Sequence, residues 1–151
     1  MRKALYFILS FSLISCVFDK FDNKYITINN DSNNCVYYII SYNDIMFDYE
    51  KLLMKQRLDK GEEMSRIDIT GLYISDSLAK KSYSKYKGPM DWKSYINMNV
   101  DKKMRLFIIK KDSVDKYGWE YVHNKNIFNK KYLYTFKELE KINWVIKYDD
   151  K

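Results

Sequence analysis

The chain has 151 residues, with 27 Lys and Arg against 20 Asp and Glu, a formal charge of +7, and 17% Phe, Trp or Tyr. One histidine and two cysteines do not make the ligand set of a zinc site, and one proline and four glycines leave no linker or repeat to divide a single domain. The basic residues fall singly or in pairs such as Lys80-Lys81 and Lys102-Lys103, which reads as a solvated surface and gives nucleic acid no support as a partner.

Arg2 and Lys3 open the chain, and the fifteen residues from Ala4 to Phe18 carry no charge. A basic start followed by a short apolar run is the pattern of an export signal. The run falls short of the roughly 20 residues a helix needs to cross a bilayer. It contains Leu13-Ile14-Ser15-Cys16, which resembles the lipobox of bacterial lipoproteins. That resemblance implies a diacylglycerol thioether on Cys16, cleavage before it, and anchoring by two or three acyl chains, where one chain alone holds only marginally. Residues 1–15 are therefore expected to be a lipoprotein signal peptide, 16–24 a tether, and 25–151 one globular domain. Val17 carries no acidic retention signal, which points to the outer membrane. Removing the leader leaves 136 residues at +5 and one thiol, Cys35, so no intramolecular disulfide is available. Cys35 itself reads as a small buried apolar residue.

Lys24 to Ile28 alternates like a half-buried strand, Asn29 to Asn34 is a dense turn signal, and Cys35 to Ile40 is apolar on both faces. The two runs read as a hairpin. From Tyr42 to Leu58 propensity favours helix without an apolar stripe, and a strand is expected at Leu53–Leu58. A further strand is expected at Met64–Thr70, ended or kinked by Gly71. Residues 75–99 are polar and tyrosine-rich, broken at Gly88-Pro89, and read as a long irregular excursion.

Met104–Lys110 is a strand with two apolar faces. Asp112 is expected to cap a helix over 113–123 whose Val114, Tyr117, Tyr121 and Val122 share a buried side, with Gly118 permitting close approach to a sheet. Thr135 and Glu138 have the spacing of a capping box, flanked by Tyr134 and Leu139 at the positions of a hydrophobic staple, before a helix over 136–142. Asn143–Tyr148 closes the chain as a strand, with Trp144, Ile146 and Tyr148 on one face. The fold class expected is α+β: a single antiparallel, sandwich-like β domain of about six strands, with two short helices before the last.

Tyr117-Gly118-Trp119-Glu120, Tyr132, the capped helix and the run Leu139 to Tyr148 ending Asn-Trp-x-Ile-x-Tyr resemble an uncharacterised small lipoprotein family of Bacteroides-type bacteria, over residues 24–41 and 92–148. The resemblance implies architecture and an envelope location and transfers no catalytic residue. Asp76-Ser77-Leu78 and Asp112-Ser113-Val114 resemble the O-glycosylation sequon of exported proteins of such bacteria, which implies Ser77 and Ser113 as acceptors.

No catalytic residue, metal site or cofactor is expected. His123 is placed at a helix C-terminus, where its charge would favour the dipole, and no nucleophile elbow accompanies it. The acids Asp44, Asp48, Asp68 and Asp91 leave open a small envelope hydrolase, glycosidase-like, working through paired carboxylates. Tyr83, Tyr86, Trp92 and Tyr95 are candidate ligand-contacting aromatics, since flat rings beside polar groups stack on sugars or peptides. The favoured expectation is a lipid-anchored, non-enzymatic binding or accessory module whose partners are the membrane and a glycan or envelope protein.

Overall fold

Ile26 and Ile28 are fully buried while Tyr25 is half exposed, so the alternation of the first run becomes the inward face of strand β1, Ile26–Asn30. The computed structural model describes residues 24–65, 72, 75–88 and 90–150. The leader, Cys16 and most of the tether lie outside them. So do Asp68, Gly71 and residues 66–70 of the expected strand.

β1 lies between β4, Ser82–Tyr86, and β7, Val145–Tyr148. Its pairing with β4 is antiparallel, but with β7 it is parallel, which corrects the expectation of an all-antiparallel domain: the chain reaches β7 through a long connection rather than a tight turn. The second sheet has the order β3, β2, β5, β6, all antiparallel, from β3 (Asp76–Leu78), β2 (Val36–Ser41), β5 (Met104–Lys110) and β6 (Lys130–Tyr134). Among the described residues, seven strands in two sheets with five helices make the α+β, sandwich-like class expected from the chain. β1 and β2 do not form the expected hairpin, because the turn between them carries the chain from one sheet to the other. The amide of Asn30 holds that crossing together, donating to the carbonyls of Asn34, Leu78 and Ala79.

The central strands β2 and β5 are apolar on both faces because each face has its own core. Val36, Tyr38, Ile40, Met104, Leu106 and Ile108 meet Ile26, Ile28 and Ile146 between the sheets. Ile39, Phe107 and Ile109 turn outward and are covered by Met46, Val114 and Val122. Burial of each such side chain is worth about 1.5–3 kcal/mol.

Among the described residues, five helices fill the connections. Helix α1, Tyr49–Asp59, stands where a strand was expected at Leu53–Leu58. Asp48 caps it by accepting from the Lys51 N–H at 2.8 Å, and Leu52, Met54 and Leu58 lean on Phe47 and Leu72. Where an irregular excursion was expected over 75–99, the chain contains β3, β4 and α2, Trp92–Asn97, with Asp91 as N-cap. The single helix expected over 113–123 is two: α3, Lys111–Tyr117, and α4, Trp119–Asn124, broken at Gly118. Gly118 has φ 77° and a Cβ there would meet nothing within 4 Å, so its role is conformational rather than close packing. Lys110, not Asp112, is the N-cap of α3, and Asp112 sits in the first turn, where a carboxylate suits the dipole.

Helix α5, Phe136–Lys141, has the expected capping box: Thr135 Oγ1 accepts from the Glu138 N–H, and the Glu138 carboxylate accepts from the Thr135 N–H at 2.7 Å. Those bonds hold the Glu138 carboxyl below its usual range. Trp144 lies ahead of β7 at φ 61°, yet it shares the buried side with Ile146 and Tyr148 as expected. Cys35 corrects the sequence reading. It precedes β2 and is exposed.

The sandwich therefore has two distinguishable ends. At one, the basal end, β1 begins, β4 ends beside it at Tyr86, β7 begins, and α2 and α5 lie together. Trp92 Nε1–H donates to the Lys24 carbonyl there at 2.9 Å. At the other, the distal end, Val36 pairs with Lys110, and the Cys35 carbonyl accepts from the Lys111 N–H.

Candidate functional site

The four aromatic residues singled out in sequence part company. Trp92 and Tyr95 are buried, with ring centroids 5.7 Å apart at 83°, and Trp92 also meets Tyr86 and Trp144. They order the basal core. Burial pushes the Tyr95 hydroxyl well above its usual pKa. Tyr83 is 66% exposed on β4 and stands apart from the other three. Of the sequon serines, Ser77 is exposed on β3 and Ser113 half-buried in α3.

The acids of the hydrolase reading are dispersed. Asp44 binds Arg105 and Lys131, which hold its carboxyl below the usual range. Asp91 caps α2, and its bonds to Ser94 lower its pKa likewise. Asp48 caps α1 and, with Asp76, lines a cavity of about 60 Å³ between β2, α1 and β4. Tyr38 and Tyr86 line that cavity as well. Burial, followed by the charges of Asp48 and Asp76, pushes the Tyr86 hydroxyl up to about 12, so it stays a neutral donor. Ser75 reaches the same cavity, and its hydroxyl lies 3.4 Å from His123 Nε2.

This Ser75 and His123 contact was not visible in sequence, because the two residues are 48 apart and no motif flanks Ser75. His123 is in the last turn of α4 as expected, but it is buried between Phe47 and Trp119 rather than presented to solvent. The separation exceeds the roughly 2.6–3.2 Å of a working nucleophile and base. Space of 60 Å³ takes a few waters at roughly 10–15 Å³ each and falls well below the roughly 300–1,000 Å³ of ligand pockets. Among the described residues no group of three or more His, Cys, Asp or Glu could hold a metal ion.

A larger concavity lies along α4, which packs through Trp119 and Val122 on the outer face of the four-stranded sheet. The break at Gly118 turns Tyr117 and Tyr121 out of the core, 44% and 48% exposed, where one continuous helix was expected to bury them. Their rings stack with centroids 5.6 Å apart at 26°. Trp119, between them in sequence, is anchored inward on Tyr37 at 4.5 Å. Together with Glu120, Asn124 and Lys125 these rings line an open groove of about 630 Å³. Aromatic rings rimmed by an acid, an amide and ammonium groups, with Lys116 Nζ 4.8 Å over the Tyr117 ring, suit a ligand with both apolar and hydroxyl-rich surfaces. The signal that could have found it is Tyr-Gly-Trp, since a mid-helix glycine marks a break as readily as a close approach.

Comparison with family models, with curated proteins and with solved structures found no match.

Proposed function

We propose that this protein is a lipid-anchored lipoprotein of the bacterial cell envelope whose domain is a non-enzymatic binding module. The anchor rests on Leu13-Ile14-Ser15-Cys16 behind a basic and apolar leader. The observation that carries the binding assignment is the exposed Tyr117 and Tyr121 ledge beside its groove, in a domain whose cavity between β2, α1 and β4 measures only about 60 Å³. The ligand class that fits is a glycan of the envelope, held by ring stacking, by hydrogen bonds donated from Asn124 and Lys125, and by sugar hydroxyls donating to the Glu120 carboxylate. A carboxylate hydrolase is the second reading. It would need two acids about 5–9 Å apart across a cleft wide enough for a sugar ring, and Asp44, Asp48 and Asp91 are instead engaged in an ion pair and two helix caps.

The anchor is tested by metabolic labelling with a fatty acid. Wild type should incorporate label and Cys16→Ser should not; incorporation that survives the substitution rejects the assignment. The ledge is tested by titrating a panel of envelope oligosaccharides against wild type, Tyr117→Ala and Tyr121→Ala. Each loss of a stacking ring should weaken binding by roughly tenfold or more, with melting temperatures nearly unchanged because both rings are exposed. Equal affinities in all three proteins would remove the ledge from the binding surface.

A further inference from the structure

The apolar side chains left exposed at the basal end are not scattered. Tyr25 (48% exposed) sits at the start of β1, Met90 (42%) ahead of α2, and Met98 (46%) and Val100 (100%) after it. The topology brings these segments to the end where the tether enters. Lys24 is fixed there by the Trp92 bond, by its ion pair with Glu140, and by the Phe136 and Trp144 rings at 5.4 and 5.2 Å.

Charge at this end is divided unevenly. The acids Asp91, Asp101, Glu138 and Glu140 are all held in intramolecular bonds, to the caps of α2 and α5, to Arg105 and to Lys24. Lys87, Lys93 and Lys102 stand exposed among the apolar side chains. Exposed cations beside exposed methionine, valine and tyrosine match an anionic lipid interface, where head groups take the ammonium groups and the acyl boundary takes the apolar tips.

The distance to the anchor decides what can meet this surface. From Cys16 to Lys24 there are eight residues, a reach of at most about 28 Å at about 3.5 Å each. We infer that the basal end docks on anionic phospholipid head groups of the membrane that carries the anchor, with Met98 and Val100 at the interface and Lys87, Lys93 and Lys102 above it. This rests on the lipid-anchor reading and adds a fixed orientation to it, with the end that carries Cys35 held away from the bilayer. An acyl anchor on its own leaves the domain free to tumble. The basal contact removes that freedom.

The test uses the full lipidated protein in vesicles of phosphatidylethanolamine and phosphatidylglycerol that carry a nitroxide-labelled phospholipid as quencher. An environment-sensitive fluorophore is placed either on the native Cys35, exposed at the distal end, or on Val100→Cys in a Cys35→Ser background. The Val100 site should show blue-shifted emission and strong quenching, and the Cys35 site neither. Quenching at Val100 should fall in high salt and in vesicles of neutral phosphatidylcholine. Lys87→Gln and Lys93→Gln should each lower the ratio of docked to undocked protein about fivefold. Protein that floats with the vesicles yet shows no quenching at Val100, or equal quenching at both sites, overturns the docking and leaves the anchor standing. Quenching unchanged in phosphatidylcholine overturns the head-group assignment. Failure of the wild type to float overturns the anchor and the docking with it.

Discussion

Replacing Trp92 by alanine is expected to cost about 3–5 kcal/mol of folding stability, the range for deletion of a large buried aromatic. The ring is 1% exposed and touches Tyr86, Tyr95 and Trp144, so its loss leaves a cavity at the junction of both sheets with α2. Its indole N–H also binds the Lys24 carbonyl, so the substitution releases the start of the fold from the basal core. Tyr83→Ala, at a site 66% exposed, should stay within about 0.5 kcal/mol of wild type. Urea melts of the two variants separate the readings of the aromatic cluster. A Trp92→Ala protein as stable as Tyr83→Ala would mean that Trp92 is presented to a ligand and not to the core.

That contrast shows what a local pattern can and cannot carry. Tyr83, Tyr86, Trp92 and Tyr95 look alike in sequence because an aromatic on a polar background suits both a platform and a core. Only the position of β4 beside β1, with α2 beneath it, sends Trp92 and Tyr95 inward and leaves Tyr83 out. The capping box at Thr135 and Glu138 was legible because all of its bonds lie within four residues. β5 was legible because both of its faces are covered, which requires a continuous apolar run. Helix α1 was not, because it buries so little of itself that no stripe was needed. The parallel pairing of β1 with β7 joins residues more than a hundred apart in sequence, and neither strand carries a mark of its partner. The ledge was half legible: its residues were found and placed on the wrong side, because one glycine was taken as a contact and proved to be a break.

The second large effect belongs to Asn30, a residue the turn signal did not distinguish from the five around it. It is fully buried at the end of β1. Its Nδ2 donates to the carbonyls of Asn34 at 2.8 Å, Ala79 at 2.9 Å and Leu78 at 3.3 Å, and its Oδ1 accepts from the Ser32 N–H at 3.1 Å and from the Ser32 hydroxyl at 2.6 Å. One amide thus ties the β1 to β2 crossing to the β3 to β4 turn, where the two sheets meet. Asn30→Ala should cost about 3 kcal/mol, because carbonyls and a hydroxyl lose partners in a place closed to solvent. Asn30→Asp should cost at least as much at pH 7, since a buried carboxylate would face three carbonyl oxygens. Its pKa in the folded variant should therefore lie above the unfolded value of about 3.9. The folded variant then binds the extra proton, so part of the lost stability returns as pH falls through the raised folded pKa, and this gain levels off below about 4, the unfolded value. The recovery is incomplete, because a protonated carboxyl donates one hydrogen where the amide donates two. Urea melts of Asn30→Asp and wild type at pH 7 and pH 4 measure this directly. A difference between the two proteins that is small and independent of pH would show that Asn30 does not bridge the sheets.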